Sequence, residues 1–158
     1  MSVRVDAETL RSIPIFAECE AVHLQLLAFS AEPQTFKAGD HIMVQGQVGS
    51  SAFVILGGTV ELKRGQGDIA EPVGMAGPGA FLGEVAMIGG VPYSLTATAR
   101  TDVAAAKISR ALFMRVAEEY ADFGATVFRM LARKLDSSIS ELGIAQGLLD
   151  QAKSFSDL

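Results

Sequence analysis

Tryptophan is absent from this chain, cysteine occurs once and histidine twice in 158 residues. With Cys19 alone, neither an intramolecular disulfide nor a cysteine-based zinc site can form within the chain. The expected state of Cys19 is an inert thiol, buried or half-buried. His23 and His41 lie far apart without ligand-like spacing, so no metal is expected. Basic residues are also scarce: 13 Lys and Arg stand against 18 Asp and Glu, a formal net charge of −5. Phosphate backbones are held by a basic stripe, and the nearest approach to one is Arg129, Arg133 and Lys134, which reads as a solvated helix face. No run of 18 apolar residues is present, which excludes an ordinary membrane-spanning helix. The opening MSVRVDAETL lacks the apolar core of a secretory leader. The expectation is a cytoplasmic protein without a membrane partner. No nucleophile, base and orienting group stand together either, so the chain is not expected to be an enzyme.

What is present is enough apolar material for a core, 49% of the residues, in a length that suits one domain. Residues 1–142 are expected to form that domain and residues 143–158 a tail. The chain starts helical, with Leu10, Ile13, Ile15 and Phe16 around Pro14. A second helical stretch over 21–31 is closed by Pro33. From Gln34 to Ile108 the character changes, and short apolar runs lie between recurring glycines. The runs at 41–45, 51–56, 59–64, 69–75, 94–99 and 103–108 read as strands, with Pro72 placing the fourth at an edge. Strands this short and this regularly spaced imply a barrel, sandwich or jelly roll. After Ile108, Phe113, Val116, Tyr120, Phe123, Val127, Leu131, Leu135, Ile139 and Leu142 recur at three- and four-residue steps. They form an apolar stripe over a short helix and then a longer one, with Asp122 as the longer helix's N-cap.

The segment FLGEVAMIGGVPYSLTATA, Phe81 to Ala99, carries the most chemistry. Gly83 suits a close approach of backbone to a ligand. Glu84 is an acceptor, matched to a sugar hydroxyl and mismatched to a phosphate. A turn of helix from Val85 to Ile88 would present free N–H groups at its start, favourable to an anion. Glu84 in this setting either faces a pocket or caps the short helix.

These residues resemble the phosphate-binding cassette of the cyclic nucleotide-binding domain family, found in catabolite activator proteins, protein kinase A regulatory subunits and gated channels. The family pattern of Phe-Gly-Glu, one helical turn, a short loop and Pro-Arg-Ala/Ser is matched here by Phe81, Gly83 and Glu84, then Pro92, Tyr93 and Ser94. Lys37-Ala38-Gly39-Asp40, Gln45-Gly46 and Phe53 to Val60 are similar to the glycine-marked strands of the same roll. Leu10 to Phe16 is similar to its opening helix. The resemblance implies an α+β fold: a jelly-roll-like β-roll of about eight strands, flanked by N-terminal helices and two C-terminal helices. It also implies a regulatory, signal-transducing domain, bacterial members included, that takes cAMP or cGMP. The implied ligand-binding positions are Gly83, Glu84, Val85, Ala86, Tyr93 and Ser94, with the cassette glutamate on the ribose 2′-hydroxyl and an arginine on the cyclic phosphate. The last helix is implied to close over the base and often to dimerise.

Tyr93 stands where the family has that arginine. Losing one partner of a buried ion pair costs about 3–5 kcal/mol, on the order of a thousandfold in affinity. Tyr93 and Ser94 offer only neutral hydrogen bonds in exchange. Arg100 is the nearest cation, but strand alternation puts it on the side of Ser94, Thr96 and Thr98, opposite Tyr93. Three readings follow: weakened cyclic nucleotide binding, a different ligand stacked on Tyr93, or a pocket that Tyr93 fills. In the last case the domain would act by contact with an unknown protein or a second copy of itself. The residues beyond Leu142 are too few for a helix-turn-helix module, so direct DNA binding is not expected.

Overall fold

A computed structural model describes residues 4–135. It contains two compact units: residues 31–110 with the N-terminal Val5, and residues 6–30 with the segment from Ala111 onward.

The first unit is the β-roll. Its eight strands are β1 (Glu32–Phe36), β2 (His41–Met43), β3 (Ser51–Gly57), β4 (Val60–Arg64), β5 (Glu71–Ala76), β6 (Phe81–Leu82), β7 (Thr96–Ala99) and β8 (Val103–Ser109). They form two four-stranded sheets, ordered β1-β8-β3-β6 and β2-β7-β4-β5. Every pairing is antiparallel. Alternation decides what goes inside. In β7 the buried residues are Ala97 and Ala99, while Thr96 and Thr98 are only half-buried. Ile42, Met43, Phe53, Ile55, Val60 and Leu82 join them in one core cluster. The alternate residues of β3, Ala52 and Val54, are fully buried too, which is why this strand reads as an unbroken apolar run.

Two strands escape a reading by pattern. β1 begins one residue before Pro33, which therefore lies inside a strand as well as beyond the helix it terminates. The proline is tolerated because β1 is a sheet edge, paired only with β8, so its missing N–H removes no inner ladder bond. β6 has only two residues, too few to show a period. β5 is the edge strand that Pro72 suggests. β7 starts at Thr96 rather than Ser94, because Ser94 and Leu95 form a bend.

The second unit is helical: α1 (Ala7–Arg11), a 3-10 turn at Pro14–Phe16, α2 (Ala21–Ser30), α4 (Arg110–Glu119, of which all but Arg110 belongs here) and α5 (Ala121–Leu135), while α3 (Glu84–Gly89) belongs to the roll. The expected stripe is its core. Phe113, Val116, Phe123, Val127, Leu131 and Leu135 are all buried, and Tyr120 is half-exposed where α4 meets α5. Ile139 and Leu142 lie outside the described residues. Since Leu131 and Leu135 are 0% and 5% exposed, both are already covered within the single chain. Phe123 is the hub, with ring centres 6.3 Å from Phe16, 5.7 Å from Phe113 and 5.9 Å from His23. Asp122 is not the N-cap of α5 but sits within its first turn, where a carboxylate still complements the helix dipole. Arg129, Arg133 and Lys134 are exposed, a solvated face as read.

Cys19 is buried, and burial, with some help from Glu18, pushes its thiol up to about 11. Only the thiolate reacts. Modification by a disulfide reagent at pH 7 is therefore expected to run about two orders of magnitude slower than for a free cysteine, and to reach the free rate in denaturant, as followed by absorbance.

Candidate functional site

The Phe81–Ala99 segment leaves β6 through Gly83, which has φ +80°. This left-handed backbone is one that L side chains rarely adopt. A Cβ there would also lie 2.9 Å from Tyr93 Cε1 and 3.2 Å from the Ser51 carbonyl oxygen, so glycine is required for shape and for space. The helix that follows, α3 (Glu84–Gly89), begins its ladder with the Met87 N–H donating to the Gly83 carbonyl at 2.9 Å. The N–H groups of Glu84, Val85 and Ala86 precede that ladder and have no intrahelical acceptor. Glu84 is 8% exposed, a buried carboxylate at the start of the helix, and Ala86 is buried beside it.

The second half of the segment is fastened to residues 46–49. Tyr93 donates its N–H to the Gln47 carbonyl at 2.9 Å and accepts at its own carbonyl from Gly46 at 2.9 Å. Gly49 donates to Val91 at 3.2 Å, and Val48 forms a bridge with Pro92. Gly49 packs so closely on α3 that a Cβ would stand 2.2 Å from that of Ala86. A methyl group at position 49 must push the helix away. Gly49→Ala is expected to cost about 1–3 kcal/mol, the range for overpacking, as measured by urea unfolding.

Tyr93 points into the roll and is 8% exposed, within the core cluster that includes Met43, Phe53 and Ala86. Its hydroxyl donates to the Ser51 carbonyl at 2.6 Å and accepts from the Ser51 N–H at 3.3 Å. The phenol proton, which the sequence leaves available to a ligand, is thus given to the start of β3. Burial raises the pKa of this phenol, and the Ser51 backbone bond works in the opposite direction. Ser94, one residue on, is exposed. Arg100 follows the last residue of β7, with its side chain 58% exposed and 3.3 Å from Glu61.

One side chain bonded to the segment escaped the sequence reading. Arg110, the first residue of α4, donates from Nη1 to the Met87 carbonyl at 2.7 Å and to the Ile88 carbonyl at 2.6 Å. A signal for it existed. A cation at the first position of a helix opposes the helix dipole, so its reason had to lie elsewhere. It serves the carboxyl end of α3, not the end at Gly83.

The arrangement thus combines a buried carboxylate, backbone N–H groups at a helix start, a glycine-shaped approach and a buried, uncharged phenol. A separate groove of about 450 Å³ opens among Phe36, Lys37, Gly58 and Asp102, and none of the candidate residues lines it. Among the described residues, no three His, Cys, Asp or Glu side chains are grouped to hold a metal ion, and no helix is long and apolar enough to cross a membrane.

Comparison with known proteins bears on the family and the fold. The alpha subunit of the rod photoreceptor cyclic nucleotide-gated channel of Gallus gallus is 30% identical over 88 residues, 56% of this chain and 13% of that protein. The chain thus spans about one eighth of that relative's length. A cyclic nucleotide-binding-like protein from Brucella abortus superposes with a TM-score of 0.65 at 32% identity, over 72% of this chain and 97% of that one. The regulatory subunit of a cAMP-independent protein kinase A from Trypanosoma brucei superposes with a TM-score of 0.66 at 25% identity, over 81% of this chain and 45% of that one. That structure is of a triple variant, one change of which introduces an arginine, bound to cAMP in its A site. Residues 33–120 match the family described as the cyclic nucleotide-binding domain, and the chain belongs to that family.

Proposed function

We propose that this chain is a non-catalytic regulatory domain of the cyclic nucleotide receptor type in which Tyr93 weakens the site for cAMP and cGMP. The observation that carries the reading is the double hydrogen bond between the Tyr93 hydroxyl and Ser51, made beside Gly83. An arginine at position 93 would bring a permanent charge to this place; the tyrosine brings a neutral group whose proton is already committed. Gly83, Glu84, Val85 and Ala86 supply what remains: backbone donors for an anion and a carboxylate for the ribose.

The test is calorimetric titration of the full chain with cAMP and with cGMP. Dissociation constants of about 1 mM or weaker are expected, the result of removing one partner of a micromolar receptor's ion pair. Micromolar binding would overturn the proposed weakening.

A second reading rests on a different observation. Tyr93 is packed among core side chains as a filler would be, and α2 exposes Val22 and Phe29, at 61% and 80%, on the face opposite its buried residues. In that case the domain takes no cyclic nucleotide and works by contact with another protein. Heat exchange with neither nucleotide, for the native chain and for Tyr93→Arg alike, would favour it.

A further inference from the structure

Arg110 ties together three places that the chain visits far apart. Its backbone N–H donates to the Ser50 carbonyl at 2.8 Å, just before β3. Its guanidinium closes the last turn of α3 through the carbonyls of Met87 and Ile88. Its own residue is the first of α4 and the last of the roll unit. The last carbonyls of a helix have no intrahelical donors and carry partial negative charge. A half-buried guanidinium is the side chain best suited to that end, because one planar group can reach two adjacent carbonyls. Gly90 leaves room for it: a Cβ there would lie 3.2 Å from the centre of the guanidinium. Neighbouring bonds hold the rest of the turn, with the Gly90 and Val91 N–H groups both donating to Ala86, at 2.9 and 3.2 Å.

We infer that Arg110 is a positioning residue for the cassette: it sets where α3 ends relative to the first residue of α4. The part concerning ligand rests on the function proposed above. The start of α3 presents Glu84 and the early N–H groups, and a six-residue helix is short enough that loosening one end disturbs the other. The same guanidinium gives the cassette a direct link to the chain's exit into α4.

Amide exchange measured by NMR on the full chain tests the inference without any ligand. In Arg110→Gln the amides of Met87, Gly90 and Val91 are expected to exchange about tenfold faster, as charge-assisted bonds are lost from the turn. Val54 and Ala106, paired between β3 and β8, are expected to keep their rates. Arg110→Lys retains the cation but not the planar reach to two carbonyls, so its rates are expected to fall between those of the native chain and of Arg110→Gln, which a merely space-filling role would not explain. Unchanged rates in α3, or equal losses with Gln and Lys, would overturn the inference. If the Gln variant does not fold, the Lys variant decides: partial acceleration at these three amides supports the role, and native rates refute it. A second arm adds Arg110→Gln to Tyr93→Arg and titrates cAMP, with an expected loss of about tenfold in affinity. Unchanged affinity would overturn the role in ligand binding. Absence of any binding by Tyr93→Arg alone would instead count against the proposed ligand, while the exchange rates still decide whether Arg110 positions α3.

Discussion

Tyr93→Arg is expected to bind cAMP about a thousandfold more tightly than the native chain, a gain of about 4 kcal/mol. Two effects oppose each other in this substitution. Without ligand the variant should be less stable. It loses both hydrogen bonds to Ser51, and it places a guanidinium among Met43, Phe53 and Ala86 with no anion to answer it. With ligand the sign reverses, because a group that binds only the folded state stabilises it by mass action. At a ligand concentration one hundred times the dissociation constant the gain is about 2.7 kcal/mol. For a chain of this size that is a rise of about 5–10 °C in Tm over the ligand-free variant. Calorimetric titration and thermal unfolding, run on both proteins with cAMP and cGMP, measure the two signs separately. A native protein that binds as tightly as the variant would show that other groups replace the arginine.

Phe123→Ala is expected to remove about 3–5 kcal/mol of stability, and to lower Tm by about 6–20 °C. Its ring is 1% exposed and lies against Phe16, Phe113 and His23, so truncation leaves a cavity that three separate segments of the helical unit would have to collapse to fill. Phe29→Ala is the matching control. That ring is 80% exposed on α2, and its loss should change stability by no more than about 0.5 kcal/mol. Equal effects from the two substitutions, read by urea denaturation, would contradict the packing described for the helical unit.

The course of the chain shows why some of this was readable in the residues and some was not. β3, β4, β7 and β8 announce themselves because their apolar residues follow a period that burial imposes, and glycines mark the turns between them. The stripe from Phe113 to Leu135 is visible for the same reason at helical spacing. β1 and β6 are not visible. One carries a proline that only its edge position permits, and the other has two residues. The cassette was legible as an ordered set of types, Gly83, Glu84, Pro92 and Tyr93, since each is a local requirement of backbone shape or chemistry.

Two features of the site lie beyond any local rule. The phenol proton of Tyr93 goes to Ser51, 42 residues away in sequence, and the guanidinium of Arg110 closes a helix that ended 21 residues earlier. Spacing along the chain carries no information about either, because a side chain's partner is set by which strands lie side by side and how far each turn projects. Fold class and family are therefore properties of the residues in order. The use to which Tyr93 and Arg110 are put is a property of the packed roll, where a donor meets whichever acceptor the folded chain leaves within about 3 Å.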